Sequence, residues 1–105
     1  IHNSIISEGC EISGTVENSV LGNGIHVEEG AVVRDCVIFS DVTIGAGSTV
    51  EFTIIDSQTA IGRSCRIGSS KECGKLTVIG SSLDIPDGTV VPAGEMMNSG
   101  EREDI

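Results

Sequence analysis

The side chains of this 105-residue sequence best suited to nucleophilic or metal chemistry are two histidines, His2 and His26, and four cysteines, Cys10, Cys36, Cys65 and Cys73. A structural zinc site draws four Cys or His ligands, usually with C-x-x-C pairing, and a catalytic one keeps three ligands and an open position. No two of these cysteines have that spacing, and neither histidine lies beside a cysteine so as to complete a set. The thiols therefore read as free thiols in a reducing compartment, and no metal ligand set is assigned. The other candidate chemistry is electrostatic. Arg63, Arg66, Lys71 and Lys75 supply four of the six basic residues within thirteen positions, opposed there only by Glu72, while the rest of the chain holds fifteen acids and two bases. Such a reversal on an acidic body could hold a phosphorylated small molecule, or pair with acids elsewhere in the fold or on another subunit.

The elements that must position these groups follow from composition and repeats. A net charge of −10 argues against nucleic acid or an anionic membrane as partner. No apolar run is long enough for a membrane span or a signal peptide, which suggests the cytoplasm. There is no Trp or Tyr and there are only two Phe, against fourteen Gly. Something other than a conventional aromatic-filled sandwich must bury the many Ile and Val residues. The chain opens at Ile1 inside an apolar pattern, as expected of a piece of a longer polypeptide.

The pattern repeats. "NSVLGNGIHVEEGAVVR" from 18, "DCVIFSDVTIGAGSTVE" from 35 and "FTIIDSQTAIGRSCRIG" from 52 follow one another at steps of 17 residues, with a shorter copy from 3 and another from 76. In that register three columns are aliphatic: Ile6, Leu21, Ile38, Ile55, Ile79; Ile12, Val27, Ile44, Ile61, Ile85; and Val16, Val33, Val50, Ile67, Val91. The columns lie six, six and five residues apart. This predicts three short strands per coil and a triangular parallel β-solenoid of about five coils. A second inward position is expected four residues after each column, as at Ala31, Ser48, Cys65 and Thr89, or Val20, Val37, Ile54 and Val78. Gly30, Gly47 and Gly88 share a corner column where a residue free of Cβ constraint is favoured. The first coil is short between Ile12 and Val16, which requires a tight corner at Gly14. The excess residues 69–75, "SSKECGK", read as a loop pushed out from a corner. The helix is thus expected over 1–94, with an acidic tail over 95–105. Asp41 and Glu51 are expected to be solvent-facing positions of little consequence for stability.

The six-residue unit of "AIGRSC" and "TIGAGS" resembles the hexapeptide repeat of left-handed β-helix proteins over residues 3 to about 94, which implies left-handed coiling. The strings "VENSVL", "GAVVRDCVI" and "VIGSSLDIPDGTVV" further resemble the C-terminal domain of bacterial glucose-1-phosphate adenylyltransferase and its glycogen-biosynthesis paralogue. That resemblance implies an upstream nucleotidyltransferase domain making ADP-glucose from ATP and glucose 1-phosphate with Mg²⁺, while the β-helix serves assembly and allosteric control. The implied partners are the chain's own N-terminal catalytic domain, further copies or paralogous subunits, and a sugar-phosphate effector at the Arg63, Arg66, Lys71 and Lys75 cluster. The catalytic motifs would lie upstream, so no catalytic residue is assigned. The alternative is a free-standing hexapeptide acyltransferase, for which His26, next to inward Ile25, is the candidate base. A γ-type carbonic anhydrase would need three zinc-binding histidines, and the chain has two.

Overall fold

A computed structural model describes residues 3–97 of the chain. Strands β1 (Ile5–Ile6), β2 (Glu11–Ile12), β3 (Thr15–Glu17), β4 (Val20–Leu21), β5 (His26–Val27), β6 (Val32–Arg34), β7 (Val37–Ile38) and β8 (Thr43–Ile44) are followed by β9 (Thr49–Glu51), β10 (Thr53–Ile55), β11 (Ala60–Ile61) and β12 (Arg66–Gly68). A one-turn 3-10 helix at Lys71–Cys73 precedes β13 (Thr77–Ile79), β14 (Asp84–Ile85), β15 (Val90–Val91) and β16 (Met96–Met97). Each strand pairs in parallel with the strand three places on, giving three flat sheets around one axis. The first face stacks β1-β4-β7-β10-β13-β16, the second β2-β5-β8-β11-β14 and the third β3-β6-β9-β12-β15. The architecture is a parallel β-helix, consistent with the left-handed form that the hexapeptide pattern implies.

The three expected aliphatic columns are the three ladders. Leu21 sits over Ile6 and under Ile38, Ile44 between Val27 and Ile61, and Val50 between Val33 and Ile67. All but the end-coil members are fully buried. Ile6 and Ile12 are only partly covered because no coil among the described residues lids them from below.

Two expectations require correction. First, the second inward position lies two residues before each column residue, because side chains alternate along a strand. Where columns are six apart, this coincides with the fourth residue after the previous column, and Ala31, Ser48 and Cys65 are buried as expected. Across the five-residue step the same alternation selects the third residue. Ser19, Cys36 and Thr53 are therefore inside, as is Thr77, two residues before Ile79 beyond the insertion, and Val20 (43% exposed) and Val37 (38% exposed) point outward, as do Ile54 and Val78 of the same column. Second, the helix does not stop at residue 94. Strand β16 pairs with β13, Met96 beside Val78 and Met97 beside Ile79, and so begins a sixth coil. Residues 98–105 of the expected tail lie outside the described residues.

The buried column at the five-residue corner is polar for a reason. A tight corner leaves backbone groups that the neighbouring coil does not reach, and short hydroxyls can satisfy them locally. The Ser19 hydroxyl donates to the Glu17 carbonyl at 2.8 Å and accepts from the Cys36 amide at 3.1 Å, and Thr53 Oγ1 donates to the Glu51 carbonyl at 2.8 Å. Among the described residues no buried side-chain nitrogen or oxygen lacks a partner. The corners also hold the left-handed backbone. Gly30, Gly47 and Gly88 have φ of 78°, 73° and 75°, as their shared column predicts, with Ser64 taking the same place at 54°. At the five-residue corner the residues are Asn3, Asn18, Asp35 and, against type, Phe52 at 47°. Asn and Asp tolerate this region, and a bulky aromatic does not.

Asp41 and Glu51 are more engaged than expected. Asp41 has φ of 58°, and Glu51 accepts from Arg34 at 2.8 Å while Arg34 also donates to Glu17 at 3.1 Å. Burial pushes the Cys36 thiol up to about 12. An unfolded thiol ionises near its ordinary value of about 8.5. Cys36 thus supports the fold fully below that pH, and the support is lost as pH rises toward 12.

Three outcomes test this architecture. Val42→Asp and Ile44→Asp place an unpaired carboxylate on the axis and should each cost more than about 4 kcal/mol, abolishing the cooperative urea transition. Val37→Asp, five residues before Val42 but outward, should shift the same transition by no more than about 1 kcal/mol. With a thiol reagent at pH 8, exposed Cys73 should react at once, and buried Cys36 and Cys65 only after unfolding.

Candidate functional site

Residues 69–75 leave the third face after β12 and return to the first face at β13. The 3-10 turn at Lys71–Cys73 is closed by Gly74, left-handed at φ 74°, whose amide donates to the Lys71 carbonyl. None of its residues is buried, so the loop is held by its ends and by one ion pair. Lys71 Nζ lies 3.7 Å from Asp35 Oδ1. Register places Gly68 over Glu51 and Glu51 over Arg34, so the loop reaches down two coils to the corner at Asp35. Hydrogen bonds from the Ser70 side chain and from its own backbone hold the Glu72 carboxyl below its usual range.

The four clustered bases are therefore spread over two corners and the face between them. Arg63 is exposed at the corner joining the second and third faces, in a shallow groove with Gly47, Ser64, Asp87 and Gly88. Asp87 Oδ1 accepts from the Arg63 amide at 2.8 Å, which puts an acid beside that guanidinium's own backbone. Arg66 points outward from the third face, between Thr49 and Val90 in register. Lys71 and Lys75 stand beyond β12 at the other corner, with the Lys75 stem lying against the Gly94 backbone. Among the described residues Arg63, Arg66 and Lys75 join no ion pair, whereas Lys71 does, as the pairing alternative expects for it.

His26 faces solvent from β5, with Glu11 below it in register and Nδ1 3.8 Å from Glu11 Oε1. The depression it lines is closed by Glu11, Glu28 and Glu29. Three carboxylates around one histidine repel an anionic acyl donor. Among the described residues no three His, Cys, Asp or Glu side chains converge as a metal site. No described helix is long and apolar enough to cross a membrane.

Residues 1–78 match the family described as GlmU-like, C-terminal hexapeptide. The chain belongs to this hexapeptide family. Within it, the chain is 36% identical over 99 residues to the glucose-1-phosphate adenylyltransferase of Desulfitobacterium hafniense, covering 90% of this chain and 25% of that protein. It is 34% identical over 98 residues to the enzyme of the same name from Acetivibrio thermocellus, covering 84% of this chain and 23% of that protein. To that of Fervidobacterium nodosum it is 48% identical over 68 residues, covering 65% of this chain and 16% of that protein. The chain thus spans about a quarter or less of the length of these curated relatives. The similarity to glucose-1-phosphate adenylyltransferases agrees with the resemblance carried by "VENSVL" and "GAVVRDCVI".

The outward aliphatic column of the first face went unrecognised as a surface in the sequence. The signal that identifies it is the five-residue step, which changes the parity of the strand.

The ion pair of the loop is long, at 3.7 Å, and exposed at its Lys71 end, so it should contribute little. A double-mutant cycle of Lys71→Ala and Asp35→Asn, the latter chosen because Asn tolerates the left-handed backbone at 35, should give a coupling below about 1 kcal/mol that vanishes in high salt.

Proposed function

We propose that this chain is the assembly and allosteric-regulatory C-terminal domain of a sugar nucleotidyltransferase that makes ADP-glucose from ATP and glucose 1-phosphate for glycogen synthesis in the cytoplasm. The observation that carries the reading is the similarity along 90% of the chain to glucose-1-phosphate adenylyltransferases four times its length. On this reading the β-helix supports and regulates rather than reacts. Mg²⁺ and the catalytic groups belong, on this reading, to the preceding domain, and further copies or paralogous subunits complete the enzyme. The free-standing acyltransferase alternative is disfavoured by the acids around His26.

The effector surface proposed for the domain is the basic strip from Arg63 and Arg66 to Lys71 and Lys75. Its support is that Arg63, Arg66 and Lys75 are exposed cations outside any ion pair among the described residues, on a body of net charge −10. A phosphorylated ligand there would compete with Asp35 for Lys71, and its binding would weaken with salt because exposed charges are screened over about 8 Å at physiological ionic strength.

Assayed as the full-length polypeptide, the protein should form ADP-glucose from ATP and glucose 1-phosphate, and residues 1–105 alone should not. A full-length protein lacking that activity but transferring acyl groups from a thioester would overturn the reading. In the full-length enzyme Arg66→Glu with Lys71→Glu should blunt the response to a sugar-phosphate effector while unregulated turnover stays within about two-fold of wild type. An unchanged response would return the strip to ordinary solvated charge.

A further inference from the structure

The corner joining the second and third faces is ordered in charge from coil to coil. Hydrogen bonds from the Gly47 amide to the Glu29 carbonyl at 3.2 Å, from Ser64 to Ala46 at 2.9 Å and from Gly88 to Arg63 at 2.8 Å hold its segments one above the other. From the first coil to the fifth the corner presents uncharged Ser13, then Glu28 and Glu29, then Ala46, then Arg63, then Asp87. Ala46 lines two shallow grooves, the acidic one that holds Glu28 and Glu29 and the one that holds Arg63. Glu28, Glu29 and Arg63 are exposed, and none of the three joins an ion pair among the described residues. Two coil steps of about 4.8 Å each separate the acids from Arg63, with Ala46 at the midpoint.

We propose that this corner is a contact between two copies of the chain, which meet antiparallel about a two-fold axis at the level of Ala46. The inference deepens, and in that respect rests on, the reading that further copies complete the enzyme. An axis perpendicular to the helix, in the plane between two facing corners, exchanges the second coil with the fourth. Glu28 and Glu29 of each copy then face Arg63 of the other, so one set of residues makes the contact twice, as an isologous interface requires. Ala46 meets its own counterpart, and its single methyl lets the corners approach closely. Asp87 meets uncharged Ser13 rather than another acid. Parallel copies would set Arg63 against Arg63 and the glutamates against each other, like-charge contacts that select against that arrangement. The self-complementary order also selects a second copy over other occupants. A small cation would fill the acidic groove and leave Arg63 unpaired, and an anion would do the reverse. Two touching corners cover much less than the about 800 Å² per partner of a stable complex. Charge here therefore fixes which way round two copies meet, while affinity comes from contacts elsewhere in the full-length polypeptide.

The test uses the full-length polypeptide. On mild oxidation Ala46→Cys should form a disulfide to its own counterpart, identified by mass spectrometry, since the axis brings the two β-carbons within the about 4 Å that a disulfide spans. Ala60→Cys on the second face should not. Adding Arg63→Glu, or Glu28→Arg with Glu29→Arg, to Ala46→Cys should lower the linked yield at least about five-fold. An equimolar mixture of those two charge variants should link again, between unlike chains, because both contacts then pair a carboxylate with a guanidinium. Absence of the link from Ala46→Cys alone, a yield unmoved by either charge change, or a mixture that fails to link would overturn the proposal. If Ala46→Cys disturbs the corner, native mass spectrometry of the mixed charge variants decides, with unlike pairs expected above their statistical share and a statistical distribution overturning the contact. Arg63→Glu that removes the response to a sugar-phosphate effector while the link persists assigns Arg63 to the effector strip instead. Linked copies of a full-length protein that makes no ADP-glucose keep this inference and remove the proposed activity. An active enzyme without the link does the reverse.

Discussion

In-register stacking of one coil on the next is the constraint on which everything else in this molecule depends. A coil of 17 residues cannot bury its own inward side chains, because its strands are two or three residues long and enclose no volume. Only the coil above and the coil below, about 4.8 Å away, can lid that layer and supply the partners of its backbone amides. Leu21 is fully buried because Ile6 and Ile38 lie on either side of it, and Ile6 is not because it has a neighbour on one side only. The same requirement holds each column to one kind of residue. A column that switched from Ile to a charged side chain would leave both neighbouring layers open.

The corners translate this constraint into the chemistry of the faces. A six-residue step returns the chain to the same strand parity, so alternation continues and the outward positions of the second face can be polar. The five-residue step reverses parity on arrival at the first face. Two residues before each first-face column residue, Ser19, Cys36, Thr53 and Thr77 lie inside, where the hydroxyls and the thiol meet carbonyls and amides of the corner, and Val20, Val37, Ile54 and Val78 next to the column point out. Left-handed corner residues complete the turn, with glycine at Gly30, Gly47 and Gly88, and with Asn or Asp where a side chain can help the backbone.

The insertion at 69–75 exploits a tolerance that the same stacking provides. Pushed out at a corner, it interrupts no ladder, since Thr77 still sits over Thr53 and Ile79 over Ile55. It can therefore carry charge that the ladders could not, and it places Lys71 and Lys75 at one corner while Arg63 and Arg66 remain on the coil that precedes it. With the rest of the body acidic, long-range potential favours an anion at this strip, and Asp35, Asp87 and Glu72 set the local competition.

The sequence by itself determined the repeat, the three inward columns, the glycine corner and the position of the inserted loop, because a solenoid writes its tertiary contacts at a fixed separation along the chain. Ile44 meets Val27 and Ile61 seventeen residues away on either side, so sliding the sequence over itself reveals the contact. What only the tertiary structure decided were features that depend on direction rather than recurrence. Val37 and Val42 recur equally well in the pattern, yet one faces solvent and the other the axis, and the difference is a parity set by how tightly the corner turns. The layout of the thirteen-residue basic cluster likewise comes from the fold, which spreads Arg63, Arg66, Lys71 and Lys75 over two corners and the face between them. The extra turn of strand at Met96–Met97 also appeared only in the fold, where pairing with β13, not an aliphatic repeat, marks the coil.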